Sequence, residues 1–279
     1  MTEIWIAVGV LAALGALFGI VLAVANRVFY VETDPRLDQL IQCLSGANCG
    51  GCGYAGCAAY AQAVLDGKAP VGLCASGGEE CSRAMAKIMG VESRKVDRVV
   101  AFVRCAGVTA RDKGLYEGLE DCIAATKVAG RGPLICKFGC LGFGNCTRVC
   151  KFDAIRIVEG VAKVDPDKCT GCMSCAAACP RKIIVPVHFG VHIRVACSST
   201  ARGSVTLRGC DIGCIGCFKC QKACPKGAIK VENNLARIDY ALCDDCGLCV
   251  EVCPRKLISD SNLTPQDRGT IPHPAAVDP

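Results

Sequence analysis

Residues 169–180 read CTGCMSCAAACP, and residues 243–254 read CDDCGLCVEVCP. Each stretch spaces four cysteines as C-x2-C-x2-C-x3-C and places a proline after the last one. Thiolates with this spacing hold 4Fe-4S clusters, and the fourth cysteine of each motif ligates the other cluster of a pair, because the chain crosses between the two sites. The two stretches therefore predict paired iron-sulfur sites, whose remaining ligands must lie in other motifs.

Both stretches belong to an internal duplication with an offset of 74 residues, as between Cys169 and Cys243. Eight cysteines coincide: Cys136, Cys140, Cys146, Cys150, Cys169, Cys172, Cys175 and Cys179 align with Cys210, Cys214, Cys220, Cys224, Cys243, Cys246, Cys249 and Cys253. The second copy also has Cys217, where the first copy has Phe143. We therefore expect Cys136, four residues before Cys140, to replace the missing ligand of the first copy.

The crossing rule turns the duplication into four predicted clusters. In the first copy the ligand sets are Cys136, Cys140, Cys146 and Cys179, and Cys150, Cys169, Cys172 and Cys175. In the second copy they are Cys214, Cys217, Cys220 and Cys253, and Cys224, Cys243, Cys246 and Cys249. Cys210 is an alternative ligand to Cys214 or Cys217. A sixth cluster could instead use the cysteines without motif spacing, Cys105, Cys122, Cys197 and Cys210.

A further cysteine group precedes the duplication. Residues 46–57, GANCGGCGYAGC, place Cys49, Cys52 and Cys57 on a glycine-rich loop, and Cys74 returns after a helix that begins near Cys57. Glycines allow the positive-φ turns with which a backbone wraps around a bulky group. Four-cysteine zinc sites also use paired C-x2-C spacing, but the two eight-cysteine copies are far more specific for iron-sulfur clusters. We predict five 4Fe-4S clusters in total.

Composition agrees with metal binding in a reducing compartment. The chain has 26 cysteines in 279 residues, and their C-x2-C and C-x3-C grouping favours ligation over disulfides. Residues 180–230 contain nine basic residues and one acid. This charge either compensates the anionic clusters or steers an acidic protein partner, whereas nucleic-acid binding lacks interleaved aromatic residues. Neither G-x-G-x-x-G nor GxxxxGK[ST] occurs, so we expect no NAD or ATP site.

An apolar run opens the chain. Residues 4–25, IWIAVGVLAALGALFGIVLAVA, contain no charged side chain and are long enough for a transmembrane helix. A signal peptide is the alternative, but it needs a basic region before a shorter apolar stretch. Because Arg27 and Arg36 follow the run, the positive-inside rule places the bulk of the chain on the cytoplasmic side of the inner membrane, with a single pass.

The predicted fold is α+β, with an N-terminal transmembrane helix, a small 4Fe-4S domain and two tandem bacterial-type ferredoxin-like units of two clusters each. The expected boundaries are 1–30 for the anchor, 31–92 for the 4Fe-4S domain, 93–132 for a linker domain, 133–190 and 191–260 for the two units, and 261–279 for a disordered tail. Within the linker, residues 96–105 predict a strand, and residues 186–195 predict another that places His188 and His192 on one face.

The order of these features, an apolar helix, then ANCGGCGYAGC with Cys74, then tandem units that include GCIGC and KACP, resembles the B subunit of the Rnf complex. That family is a membrane-bound ferredoxin:NAD oxidoreductase coupled to Na+ or H+ translocation. The resemblance implies an electron-transfer subunit without a complete active site of its own. Its implied partners are soluble ferredoxin and the membrane, flavin and iron-sulfur subunits of the complex. The alternative is a membrane-anchored redox module that acts on a regulatory protein.

Overall fold

The computed structural model describes residues 2–28, 34–93, 97–107, 116, 118–128 and 130–258. The chain divides into two compact units, Met1–Gln39 and Leu40–Pro279. The tail predicted over residues 261–279 lies outside the described residues, so its disorder stays a prediction.

The first unit contains helix α1, Thr2–Val28. Its segment Ile4–Arg27 is long and apolar enough to cross a membrane, as the sequence predicts. At 1.5 Å per residue these 24 residues span about 36 Å, slightly more than a bilayer core of about 30 Å. Large apolar side chains such as Trp5 and Leu11 are exposed along it.

Three helices frame the glycine-rich loop that carries the first cysteine group. They are α2, Pro35–Cys43; α3, Cys57–Leu65; and α4, Gly78–Met89. Leu40, Tyr60 and Met85, one from each helix, are fully buried. Helix α4 ends at Gly90, whose left-handed conformation is the usual helix terminator. Helix α3 begins at Cys57, so the helix predicted near this residue is confirmed.

Within the described residues, six strands form three antiparallel pairs. Strand β1, Val99–Val103, pairs with β4, Ile184–His188; β2, Ile155–Val158, pairs with β3, Val161–Val164; and β5, Ile229–Glu232, pairs with β6, Leu235–Ile238. The last two pairs are hairpins in the same register, 74 residues apart, and each has two residues of positive φ in its turn. Such turns match the right-handed twist of the strands. The duplication in sequence is thus a duplication in structure.

Short helices carry the third cysteine of each ferredoxin motif. The described residues include α5, Cys122–Lys127; α6, Asn145–Arg148; α7, Ser174–Ala177; α8, Gly203–Gly209; α9, Lys219–Ala223; and α10, Leu248–Glu251. Helices α6, α7, α9 and α10 bury Cys146, Cys175, Cys220 and Cys249, respectively. The residue before each of these four helices has positive φ, so the chain turns sharply between the second and third cysteines.

Two of the sequence predictions concern strands, one within residues 93–132 and one over residues 186–195. The strand expected within residues 93–132 exists as β1, but it pairs with β4 and packs into the core of the first repeat. The prediction of one strand over residues 186–195 is wrong. Strand β4 ends at His188, the chain turns as Val191 N–H donates to the His188 carbonyl, and His192 lies beyond the turn. The two histidines therefore do not share a strand face.

Candidate iron-sulfur sites

The first site lies on the loop between α2 and α3. One cavity is lined by Cys49, Cys52, Cys57 and Cys74, the four cysteines that the sequence groups together. Asn48 organises the loop, because its side-chain oxygen accepts a hydrogen bond of 2.8 Å from Cys57 N–H at the start of α3. The cavity therefore gathers thiols from both sides of α3.

Tyr60 positions the last thiol of this cavity. Its hydroxyl donates to the Pro70 carbonyl at 2.9 Å and accepts from Leu73 N–H at 3.1 Å, so the buried ring fixes the segment that ends at Cys74. A hydrogen bond from the Cys81 thiol, the largest influence, lowers the pKa of Cys74 to about 5. Cys74 is thus stabilised as a thiolate, the form in which cysteine binds metals.

A second cavity lies in the first repeat. Its lining includes Cys140, Cys146 and Cys179, as predicted, but the fourth cysteine is Cys122. Cys136 is not among the residues that line it. The structure therefore differs from the sequence interpretation at one ligand position.

Asn145 explains how Cys122 reaches this cavity. Its side-chain oxygen accepts from Cys122 N–H at 2.7 Å, and its amide donates to the Asp121 carboxylate at 2.6 Å. Asp121 also caps α5 and contacts Arg148 at 3.0 Å. These bonds hold the start of α5 against the start of α6, which carries Cys146. Cys122 lies outside any cysteine motif. The only signal in the sequence that a distant ligand was needed is Phe143, which stands where the second copy has Cys217.

The neighbouring set in the first repeat keeps its predicted members together. Burial raises the pKa of Cys175 to about 12, and the charges of Cys169 and Cys172, of Cys146 from the adjacent set, and of Cys150 add to the shift. Backbone N–H groups point at two of these sulfurs, from Ala101 to Cys169 at 3.3 Å and from Ala154 to Cys150 at 3.4 Å. Such N–H···S bonds are among the features that set cluster potentials.

In the second repeat, one cavity is lined by all four predicted thiols, Cys224, Cys243, Cys246 and Cys249. The other predicted set surrounds Cys220. Burial raises the pKa of Cys220 to about 11, and Cys214, Cys253 and Cys217 raise it further. Cys217 is exposed, unlike the other 25 cysteines, all of which lie in the described part of the chain.

The N-terminal site and the first repeat share a boundary. Cys172 lines the N-terminal cavity, and Ser174 Oγ donates to the Cys49 carbonyl at 3.2 Å. A Cβ on Gly51 would lie 2.7 Å from the Cys172 carbonyl oxygen, so glycine is needed for this approach. Lys151 stands where proline follows the fourth cysteine in the other motifs, and its amine donates to the Ala47 and Asn48 carbonyls. This departure from the motif ties the two parts together.

The donor chemistry fits iron-sulfur clusters. The three cavities are lined mainly by thiols and apolar side chains, with a few polar residues such as Asn145, Arg181 and Asp244, and no histidine is among their lining residues. Among the residues that the structure describes, no group of three or more His, Cys, Asp or Glu side chains converges on the position of one metal ion. In a 4Fe-4S cluster each of the four thiolates binds a different iron atom.

Comparison with known families gives three matches along the chain. A family model described as an Fe-S cluster matches residues 44–76, a 4Fe-4S binding domain matches residues 162–185, and a 4Fe-4S dicluster domain matches residues 213–258. The first match covers the N-terminal site, and the other two cover ligands of both repeats. The prediction of iron-sulfur domains is therefore confirmed.

Three curated proteins are similar over nearly the whole chain. The B subunit of the Na(+)-translocating ferredoxin:NAD(+) oxidoreductase complex of Acetobacterium woodii is 45% identical over 93% of this chain and 78% of its own length. The proton-translocating counterpart of Clostridium ljungdahlii is 39% identical over 93% and 94%, respectively. The B subunit of the ion-translocating oxidoreductase complex of Methanosarcina acetivorans is 40% identical over 90% and 96%.

Proposed function

Because the chain belongs to the B-subunit family of the ion-translocating ferredoxin:NAD(+) oxidoreductase (Rnf) complexes, we propose that it receives electrons from reduced soluble ferredoxin and relays them to the membrane subunits of such a complex. It is an iron-sulfur electron-transfer subunit of this oxidoreductase. The complex couples electron flow to translocation of Na+ or H+. Clusters bound by its thiolates supply one-electron transfer without bond chemistry.

We assign five cluster sites to this function, and they bind iron through cysteine alone. Two tandem ferredoxin-like units carry four of them, and the glycine-rich loop carries the fifth. The ligand sets are Cys49, Cys52, Cys57 and Cys74; Cys122, Cys140, Cys146 and Cys179; Cys150, Cys169, Cys172 and Cys175; Cys214, Cys217, Cys220 and Cys253; and Cys224, Cys243, Cys246 and Cys249. The set with Cys122 replaces the one that the sequence suggested with Cys136.

The exposure of Cys217 is the observation that supports electron entry at the second repeat. The four lysines Lys219, Lys222, Lys226 and Lys230 follow it, all exposed, with no acid between residues 217 and 230. We call these residues the Cys217 surface. A positive rim around an exposed ligand attracts an acidic donor and raises its association rate more than its affinity. Ferredoxin therefore docks at the Cys217 surface in this proposal.

The N-terminal site is the exit in the same proposal. It follows the apolar helix more closely in sequence than any other cysteine set, and Cys172 of the first repeat lines its cavity. The basic residues Arg27 and Arg36 favour a cytoplasmic location of the chain beyond α1. Protease digestion of sealed vesicles of known orientation tests this sidedness: cleavage beyond residue 34 in right-side-out vesicles contradicts it.

Charge reversal tests the docking surface. We expect Lys219→Glu with Lys222→Glu to lower the rate constant for reduction of the full chain by reduced ferredoxin by about tenfold or more at low ionic strength. Stopped-flow absorbance measures the rate, and iron content verifies that the clusters remain. Lys87→Glu, an exposed lysine on α4, is the matched control with the same change of charge per site. Equal rates for the reversed and control variants refute docking at this surface.

A further inference from the structure

Besides Cys43 and Cys81, four cysteines remain outside the five sites, and they form two pairs, one associated with each repeat. They are Cys105 and Cys136, associated with the first repeat, and Cys197 and Cys210, associated with the second. Cys105, Cys197 and Cys210 are buried, and Cys136 is half-buried. All four are free of disulfides.

The first pair converges beside Gly139. The position that a Cβ of Gly139 would occupy lies 3.5 Å from Cys136 Sγ and 3.6 Å from Cys105 Sγ. The two sulfurs are therefore at most about 7 Å apart. Gly213, which aligns with Gly139 at the offset of 74 residues, lies beside Cys210, with its Cβ position 3.7 Å from Cys210 Sγ and 2.5 Å from Thr206 Cγ2. A glycine thus lies beside a thiol in both repeats.

Cys105 and Cys197, one from each pair, have the same hydrogen-bond environment. Cys105 Sγ accepts from Gly107 N–H and Cys140 N–H, each at 3.4 Å. Cys197 Sγ accepts from Ser199 N–H and Cys214 N–H, also at 3.4 Å. In both cases one N–H donor belongs to the residue two positions later in the chain, and the other belongs to the first cysteine of a ferredoxin motif. These N–H···S bonds resemble those at Cys150 and Cys169 in the first repeat.

The two pairs face each other where the repeats meet. Ala106 N–H donates to the Ala196 carbonyl at 3.0 Å, which brings the segment after Cys105 beside the segment before Cys197.

Two further contacts join the segments that carry Cys197 and Cys210 to the segment that carries Cys136. Ser198 Oγ donates to the Phe138 carbonyl at 3.0 Å, and the Cβ position of Gly209 lies 3.6 Å from the Cys136 backbone nitrogen. Each repeat is thus associated with one thiol that accepts two backbone N–H bonds and with one thiol before a ferredoxin motif.

We infer that Cys105, Cys136, Cys197 and Cys210 hold a sixth 4Fe-4S cluster at the junction of the two repeats. This inference rests on the proposed electron-transfer function and deepens it. Cys140 and Cys214 each donate a backbone N–H to a thiol of this junction site while their own side chains belong to the flanking sites. The junction site thereby lies between one site of each repeat and makes the row of sites continuous.

The experiment compares the iron content of the full chain, reconstituted anaerobically in detergent, with that of single and double variants. We expect about 24 iron and 24 sulfide per chain in the parent protein, and about 20 of each in Cys136→Ser and in Cys210→Ser. The double variant should also retain about 20, because both changes remove ligands of the same cluster. Cys43→Ser, a cysteine outside the six sites, is the control and should retain about 24.

The outcomes separate this inference from the proposed function. About 20 iron in the parent protein with no loss in Cys210→Ser overturns the junction site and leaves the five-cluster function standing. Loss from Cys136→Ser alone also overturns it, because Cys136 would then serve the first repeat. Zinc in place of iron throughout overturns the function itself. If a variant does not fold, the parent count of 24 or 20 still decides.

Discussion

Cys122 offers a sharp test of how the first repeat completes its cavity, because sequence and structure assign the fourth thiolate differently. We predict that Cys122→Ser weakens or removes one cluster, since a hydroxyl is a poor substitute for thiolate as an iron ligand. The change deletes one of the four thiols that line the cavity with Cys140, Cys146 and Cys179. Complete loss of the cluster lowers the iron content by about four atoms per chain, and retention of a three-iron cluster lowers it by about one.

Double variants identify which cluster is affected. Substitutions that remove ligands of one cluster are not additive, whereas those at separate clusters are. Cys122→Ser combined with Cys146→Ser should lose no more iron than Cys146→Ser alone. Cys122→Ser combined with Cys136→Ser should lose about twice as much, because the two thiols serve different sites. Iron and sulfide determination and low-temperature electron paramagnetic resonance of the dithionite-reduced protein measure both the count and the identity of the clusters.

Two results would refute this reasoning. Full iron content in Cys122→Ser would mean that the cavity is completed by another ligand. Non-additive loss in the Cys122 and Cys136 double variant would place both thiols at the same cluster. Asn145→Ala provides an independent check, because it removes the 2.7 Å bond to Cys122 N–H without removing a thiol. We expect the same cluster to become more labile to a chelator in that variant.

Three further predictions concern the N-terminal site. Tyr60→Phe keeps the buried ring but removes two hydrogen bonds to the segment before Cys74, which should destabilise this segment by about 1–3 kcal/mol. We expect a chelator to remove this cluster faster while the signals of the other clusters persist. Unchanged release would contradict the positioning role of Tyr60. Gly51→Val should slow electron transfer between this site and the first repeat, because the valine side chain would clash with the Cys172 carbonyl. Flash-reduction kinetics measure the rate of this step. An unaltered rate argues against close contact between Gly51 and Cys172. Lys151→Ala should loosen the N-terminal loop, seen as faster amide hydrogen exchange over residues 46–57, with Lys87→Ala as the control.

The family and the electron-transfer role were predictable from sequence because the relevant signals are local. Cysteine spacing of two or three residues marks an iron-sulfur motif within a short stretch, whatever the rest of the chain does. The sequence interpretation as an Rnf B subunit is confirmed by the similar proteins. Likewise, the length and composition of residues 4–25 were enough to predict helix α1.

The end of strand β4 could not be predicted in the same way. Residues 186–195 are rich in β-branched residues, but the turn after His188 depends on contacts far away in sequence. Phe189 N–H donates to the Arg98 carbonyl, and the Asp245 carboxylate accepts from the N–H groups of His192 and Ile193. Tertiary hydrogen bonds therefore overrode the local β-propensity.

Sequence by itself determined the duplication, the regular cysteine motifs and the apolar helix, since each is recorded in spacing or hydrophobicity over a short stretch. Only the tertiary structure brought Cys122 beside Cys146 and set Cys105 and Cys136 opposite Cys197 and Cys210. The segments that meet there are far apart in sequence, and no periodicity records their meeting. Hydrogen bonds between side chains and backbone, such as the one that Cys122 N–H donates to Asn145, decide these contacts, and they exist only once the chain has folded.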